Sequence, residues 1–482
     1  MRLSSKQRDR AGGVLLGQAI GDALGVPYEF RPRIAPGEAQ MVGGGRGPYA
    51  PGEWSDDTQM AVCIAQATAS DGYAGEETLR VIARRFVDWR NDGASDIGVQ
   101  TATALSRAQG SGDVLTALQK ASQQAADADR AGNGALMRTA VVGLVALDDR
   151  LRTAEAASAI AALTHAHPLC VESAVLWSEA VRVAVVEGRL DVRAGLDLLV
   201  ADRRPLWETY LDEAENEPPG SFVRNGFTVT ALQAAWAAIQ ATRYLDGPDH
   251  VEAALQAAVA IGHDTDTVAA IAGGLLGARY GVSGLPSDLA RRVNGWPGLR
   301  GRDLVGLALA IATGGRDAWH SGASMLDGRG RPLAVPHPDD PEVLLGTEAD
   351  LARCAELGVT AVVSLSRVGA PEIAAAGVKP GRHAEVWLVD SDDPDLNAHL
   401  AWTLADAART VAALRADGER VLLHCVAADH RTPAAALAYS HLLGTAVGAA
   451  ARIEDAIGHR VGGLLWQTAA QTAGGRYRSS DR

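Results

Sequence analysis

Residues Trp54-Ser55-Asp56-Asp57-Thr58 and Gly262-His263-Asp264-Thr265-Asp266-Thr267 each place two carboxylates and at least one hydroxyl within a few positions. Each run leads into an apolar, alanine-rich stretch with helical periodicity, residues 60–69 after the first and 268–280 after the second. Carboxylates and hydroxyls gathered where two helices begin are the hard oxygen donors that Mg²⁺, Mn²⁺ or Ca²⁺ takes. Asp and Thr are also ordinary helix caps, favoured by orphan N–H groups and the helix dipole. Asp-Asp and Asp-x-Asp recur elsewhere, as at 148–149 and 390–392, so neither pattern is decisive alone. The surroundings favour the metal. Asp264 and Asp266 lie between an apolar helix over 251–261 and one with no charge before Arg279. Such a segment is expected to be buried, and buried carboxylates need a cation or a cage of donors. The two runs are therefore expected to meet in space and hold a pair of divalent ions.

The rest of the N-terminal chain has to position them. Residues 11–26 read as a helix with a small residue every fourth place, Gly13, Gly17, Gly21 and Gly25, a spacing that lets another helix approach closely. Asp22 on that helix is expected to be a buried polar group tied to a neighbouring helix end. Beyond it a Gly/Pro-rich loop runs to Gly52, with Glu29 read either as a residue of a flap over the site or as a solvated surface carboxylate. Helical runs follow at about 79–90, 97–108, 113–129, 154–164, 169–187, 192–200, 228–243, 250–261, 267–280 and 303–313. Polar islands separate some of them: Ser95-Asp96-Ile97-Gly98, Gly132-Asn133-Gly134 and Thr164-His165-Ala166-His167-Pro168. Glycines flanking Asn133 would permit positive φ and expose N–H groups to a diphosphate, or simply form a turn. His165 and His167 have no cysteine partners at metal spacing and are read as capping or hydrogen-bonding groups.

These motifs together resemble a known family. The order GxxxGxAxGDALGxPxE, W[ST]DDTxM, DIG, GNGxxMR, THxHP and GxDTDTxAxxxGxxxGAxxG stands at residues 13–29, 54–60, 96–98, 132–138, 164–168 and 262–281. It is similar to that of the ADP-ribosylglycohydrolases, which include the dinitrogenase-reductase-activating glycohydrolases. The resemblance implies an all-α fold holding two Mg²⁺ or Mn²⁺ ions, with Ser55, Asp56, Asp57, Asp264, Asp266 and Thr267 as ligands. It implies a mobile acidic residue at Glu29, a carboxylate near the ribose at Asp96, and contacts of Gly132, Asn133 and Gly134 with the diphosphate or ribose. Cleaving a glycosidic bond at ribose C1″ needs stabilisation of an oxocarbenium-like carbon and an activated water. Two metals about 3.5–4 Å apart suit that task, and Glu29 or Asp96 is placed to shuttle protons.

At 482 residues the chain is long enough for two or three domains, and 47% hydrophobic content is ample for packed cores. The net charge of −13 and the lack of a basic arm leave nucleic acid expected only as a modified substrate. Cys63, Cys170, Cys354 and Cys425 are widely spaced, which suits a reducing cytoplasm, and the charged N-terminus lacks the apolar core of a signal peptide. No apolar run is long enough to span a membrane.

The texture changes after residue 315. Domains are expected at 1–315 (all-α) and 341–478 (α/β), joined by a Gly/Pro/Asp-rich linker at 316–340. Short β-branched runs at 359–365, 385–389 and 420–425 alternate with helical stretches at about 348–357, 396–416 and 432–443, as in a small parallel sheet. Between the last strand and the last helix lies His424-Cys425-Val426-Ala427-Ala428-Asp429-His430-Arg431-Thr432. A strand-to-helix turn can bind phosphate and lower a thiol pKa. The run resembles the dual-specificity and tyrosine phosphatase loop HCx5R[ST]. That resemblance makes Cys425 the nucleophile, Arg431 the phosphate binder and Asp390 the general acid. The loop departs from the pattern in carrying Ala427, Ala428 and Asp429 where glycines are usual. An active phosphatase, a domain that binds a phosphorylated or ADP-ribosylated ligand, and a structural relic all stay open.

The leading expectation is a cytoplasmic hydrolase acting on ADP-ribosylated protein or a small ADP-ribose conjugate, with a phosphatase-like domain attached. The alternatives are a non-catalytic ADP-ribose-binding module and a metal-dependent hydrolase of another nucleotide or N-glycoside.

Overall fold

A computed structural model describes residues 2–69, 72–245, 247–315, 328 and 330–471. The chain divides into two compact units, Met1–Leu285 with Arg292–His320, and Pro286–Arg291 with Ser321–Arg482.

The first unit is helical. Its helices are α1 (Ser5–Gly25), α2 (Asp56–Thr68), α3 (Glu76–Asp92), α4 (Val99–Ala108), α5 (Val114–Asp127), α6 (Arg150–Ala162), α7 (Pro168–Glu187), α8 (Arg204–Asn216), α9 (Thr228–Ala241), α10 (Asp249–Ala260) and α11 (Thr265–Tyr280). Helix α12 (Ser287–Arg292), most of which groups with the second unit, precedes a small hairpin, β1 (Asn294–Gly295) with β2 (Leu299–Arg300), and then α13 (Gly301–Thr313).

Helix α1 is the axis of this unit. A capping box starts it: the Ser4 hydroxyl accepts from the Gln7 N–H, and the Gln7 side chain accepts from the Ser4 N–H. From Ala11 to Gly25 every residue is buried. Its glycines lie against α11, which runs antiparallel: Gly13 meets Gly277, Gly17 meets Gly273, Gly21 meets Ala269 and Gly25 meets Asp266. At each place a Cβ would drive into the backbone of α11. Glycine inside a helix costs about 1 kcal/mol relative to alanine. Here the closeness of two backbones, with their dispersion contacts, offsets that cost. The seam sets the end of α1 beside the start of α11, where Asp266 stands.

Helix detail departs from expectation in several places. Residues 192–200 do not form an α-helix; they make a 3-10 turn, Arg193–Leu198, in which Gly195 lies close against Leu176 of α7. Helix α8 was not expected, since its run is charged; it forms on Trp207, Leu211 and Ala214, which share one buried face.

The second unit carries a five-stranded sheet in the order β3-β4-β7-β5-β6, from β3 (Val335–His337), β4 (Asp340–Gly346), β5 (Ala361–Ser364), β6 (His383–Glu385) and β7 (Val421–His424). All pairings are parallel except β3 with β4. Val343, Leu345, Val363 and Leu423 face one core, while Leu344, Val362 and Leu422 face another. A sheet buried on both faces explains why these strands read as continuous apolar runs. Helices are α14 (Ala370–Ala375), α15 (Leu400–Ala416), α16 (Arg431–Leu442), α17 (Ala449–Ile457) and α18 (Gly463–Gln471). The sheet is therefore mixed, not purely parallel. Strand β6 ends at Glu385, where the run 385–389 was expected to begin. The stretch 348–357 holds a 3-10 helix, Glu348–Arg353, not an α-helix. Of the expected linker 316–340, residues 316–327 and 329 lie outside the described residues, and β3 and the start of β4 occupy its end.

Candidate active site

The two acidic runs come together. The start of α2 brings Ser55, Asp56 and Asp57; the start of α11 brings Asp264, Asp266 and Thr267. Carboxylate oxygens of Asp22, Asp57 and Asp266 lie within 4.8 Å of one another, as do those of Glu29, Asp264 and Asp266. Asp266 belongs to both triads, so the triads are adjacent.

Asp22 does what a polar group on a buried helix must do. Its Oδ1 accepts from the Ser55 N–H at 2.8 Å, and its Oδ2 accepts from the Thr58 N–H at 3.0 Å and the Thr58 hydroxyl at 2.6 Å. That caps α2. Gln18, one turn earlier, donates to the Asp57 carbonyl at 3.1 Å and the Met137 carbonyl at 3.2 Å. Asn225 organises the other run: its Oδ1 accepts from the Asp264 N–H at 3.1 Å, and its Nδ2 donates to the Gly262 carbonyl at 3.1 Å. Asn133 donates to the Asp264 carboxylate at 2.7 Å and to the Asn225 carbonyl at 2.9 Å. Ser55 Oγ donates to Asp57 Oδ2 at 2.9 Å, and the Thr267 hydroxyl serves Asp264.

Electrostatics argue that this cluster fits cations. Burial first, then neighbouring negative charge, holds Asp56, Asp57 and Asp266 well above the usual carboxylate range. Glu29 is pushed up to about 8 by burial and by the charges of Asp264 and Asp96, with Arg46 opposing. Oδ1 of Asp57 is buried with no hydrogen-bond partner. An all-oxygen donor set with a buried orphan lone pair suits hard divalent ions.

Above the cluster lies a cleft of about 220 Å³, lined among others by Glu29, Phe30, Arg46, Asp56, Asp96, Gly132, Asn133, Gly134, His165, Asp264, Asp266 and Thr267. The expected positive φ around Asn133 is not found. Gly132 has φ −66°, and the N–H groups of Gly132 and Asn133 donate to Gln100 Oε1 and the Gly226 carbonyl. The glycines supply space instead: a Cβ on Gly134 would sit 2.9 Å from His165 Cε1 and 3.0 Å from Thr101 Oγ1. His167 caps α7, accepting from the Leu169 N–H. His165 is held in the cleft wall through Thr164, whose hydroxyl meets His165 Nδ1 at 2.8 Å and accepts from Arg138 at 2.7 Å. Burial beside Arg138 lowers His165 to about 3, so its imidazole is neutral.

The second unit holds its own cluster. Cys425 follows β7, is buried, and its Sγ accepts from the Ala428 N–H at 3.3 Å. Ala428 takes φ +62°, the left-handed conformation that glycine adopts without strain. Arg431 opens α16 and donates to the Leu365 carbonyl at 2.7 Å; its Nε stands 3.5 Å from Asp390 Oδ2. His430 contacts the same Asp390 at 3.1 Å, and Asp429 is exposed. The Thr432 hydroxyl points to the Gly346 carbonyl at 3.4 Å.

Two adjoining acidic triads of a helical fold thus meet at the floor of a cleft of about 220 Å³, and sequence comparison supplies the family. The chain belongs to the ADP-ribosylglycohydrolase family, whose sequence profile matches residues 3–320, and it is a glycohydrolase enzyme. It is 32% identical over 294 residues to the ADP-ribosylarginine hydrolase Tri1 of Pseudomonas putida (strain GB-1), covering 59% of this chain and 74% of that one. It is 28% identical over 291 residues to the ADP-ribosyl-dinitrogen reductase glycohydrolase of Rhodospirillum rubrum, covering 58% of this chain and 88% of that one. Among solved structures, it is similar to an ADP-ribosylglycohydrolase-related protein complex, with 28% identity and a TM-score of 0.51, over 65% of this chain and all of that one. No helix among the described residues is long and apolar enough to cross a membrane.

Proposed function

We propose that the helical unit hydrolyses the bond between ribose C1″ of ADP-ribose and an arginine guanidinium nitrogen, on a protein or a small conjugate. The names of the relatives support the substrate class. The observation that carries the mechanism is the pair of carboxylate triads sharing Asp266 beneath the cleft. Asp57, Asp264 and Asp266, with Asp56, Ser55 and Thr267 beside them, would hold two Mg²⁺ or Mn²⁺ ions. When bound, such ions supply Lewis acidity toward ribose hydroxyls and water. The chain supplies the rest. Asn133 and Asn225 orient Asp264. Gly132 and Gly134 keep the cleft wall open for the ribose and diphosphate. Glu29 and Asp96, both lining the cleft, are the carboxylates placed to move a proton: water adds its oxygen to C1″, the C1″–N bond breaks, and the leaving nitrogen takes up a proton.

Incubation of the full chain with ADP-ribosylarginine and Mg²⁺ or Mn²⁺ is expected to release free ADP-ribose, followed chromatographically. ADP-ribosylserine, O-acetyl-ADP-ribose and ADP-ribosylated nucleic acid in the same assay would reveal another linkage. Affinity for ADP-ribose with release from none of these conjugates would leave a binding module.

The thiol loop of the second unit supports a second reading, Cys-dependent phosphate-ester hydrolysis. Cys425 would be the nucleophile, Arg431 the phosphate binder and Asp390 the acid; the favouring observation is the Ala428 N–H directed at Cys425 Sγ. Arg431 is partly engaged by Leu365 and Asp390, which argues for slow turnover. Cys425→Ser is expected to abolish hydrolysis of an aryl phosphate. If the wild type shows no Cys425-dependent turnover, the loop is a binding or structural element.

A further inference from the structure

The arm between α1 and α2 places one of the chain's own arginines across the mouth of the cleft. Gly44 and Tyr49 pair as an isolated bridge, and Arg46 sits in the turn between them. Its Nη1 lies 3.6 Å from Glu29 Oε1, its Nε lies 3.4 Å from Asp96 Oδ2, and its Cζ lies 5.3 Å from the centroid of the Phe30 ring. A planar cation set between two carboxylates and over an aromatic face is how proteins recognise guanidinium groups. Both ion pairs are longer than a good hydrogen bond, and the Arg46 side chain is 55% exposed, so it is held loosely. Gly43, Gly44 and Gly45 precede it at positive φ, and a side chain on Gly44 would meet nothing. Phe30 itself takes φ +51°, a conformation that costs about 1 kcal/mol or more for a bulky residue and that turns its ring toward the cleft mouth. Its N–H donates to the His263 carbonyl at 2.7 Å, which ties it to the second acidic run.

We infer that Glu29, Asp96 and Phe30 form the subsite for the guanidinium of the modified arginine, and that Arg46 fills this subsite until substrate displaces it. The inference rests on the reading of the cleft as an ADP-ribosylarginine hydrolase site. The two carboxylates placed to pass a proton are the ones that grip the group receiving it. Arg46 then works as an internal competitor. It offsets part of the negative charge of the mouth when empty, and it sets the affinity that an incoming guanidinium has to exceed.

The test uses the full-length protein, with Mg²⁺ and again with EDTA, titrated calorimetrically with methylguanidine and separately with ADP-ribose. Arg46→Ala is expected to bind methylguanidine about fivefold more tightly than the wild type, the gain expected if a self-ligand occupies the subsite about 80% of the time. ADP-ribose affinity is expected to stay within about twofold, since the ligand lacks the guanidinium. Arg46→Gln serves the same purpose if Arg46→Ala does not fold. Methylguanidine affinity that is unchanged or weaker in the variant overturns the inference. A loss of ADP-ribose affinity with methylguanidine unchanged also overturns it, making Arg46 a diphosphate ligand. If the variant gains methylguanidine affinity while the wild type releases no ADP-ribose from ADP-ribosylarginine, the subsite stands and the hydrolase reading falls.

Discussion

Asp264→Ala combined with Asp266→Ala is expected to lower ADP-ribose release at least about 1,000-fold, because loss of a Lewis-acidic centre removes several kcal/mol of transition-state stabilisation. Asp266 is the shared member of both triads, so its removal disables each. The double substitution also separates catalysis from folding. In the wild type without ions, burial and neighbouring negative charge hold several of these carboxylates well above their usual range, and divalent cations relieve that cost of ionising them. Mg²⁺ or Mn²⁺ at 100 times its Kd is expected to stabilise the wild type by about 2.7 kcal/mol per site, and EDTA to reverse the gain. The double variant is expected to gain little from either ion and to melt no earlier than the ion-free wild type. Calorimetric scans with ions and with EDTA read this directly. Undiminished release by the double variant would end the metal mechanism.

Gly21→Ala is expected to cost about 3 kcal/mol or more and to take activity with it, because overpacking here meets backbone, not a side chain that can turn aside. A Cβ at position 21 would run into the Ala269 carbonyl of α11, and the two helices cannot separate without disturbing both acidic runs. Asp22 is the next residue and caps α2; Asp266 lies one turn before Ala269. A shift of the seam thus moves both triads at once. Gly112→Ala is the control: nothing lies within 4 Å of its Cβ position, so a change within about 0.5 kcal/mol is expected. Calorimetric melting of the helical unit, compared with ADP-ribose release, separates lost stability from lost geometry. An unchanged melting temperature in Gly21→Ala would show that the helices are not locked by contact.

The helical unit was legible where the chain repeats a physical demand. Glycines at every fourth place of α1 announce a close partner, and acid–hydroxyl runs before apolar stretches announce buried helix starts. Asp22 was legible as a helix-end anchor. That it also reaches Asp57 and Asp266 was not, because spacing along the chain does not reveal which helix end a buried carboxylate will find. Asn225 escaped because it lies in a loop of Gly, Pro and Arg with no periodicity; only the fold brings it to Asp264. Arg46 was hidden among the many arginines of an arginine-rich chain. The glycines around Asn133 were read as a source of positive φ, yet they serve by lacking a Cβ, and the sequence alone does not distinguish these uses. In the second unit the strand–loop–helix around Cys425 followed from its apolar flanks. The left-handed turn at Ala428 did not, since alanine gives no sign of it.

The glycine seam has a consequence for how such a protein can diversify. A backbone-to-backbone joint has no side chains to repack, so it offers drift almost no neutral substitutions and keeps the catalytic floor at one height. Freedom to vary lies in the arm that carries Glu29, Phe30 and Arg46, where the exposed Arg46 meets Glu29 and Asp96 through long ion pairs. New acceptor preferences would then arise by exchanging the latch while the hinge plate beneath it stays as it is.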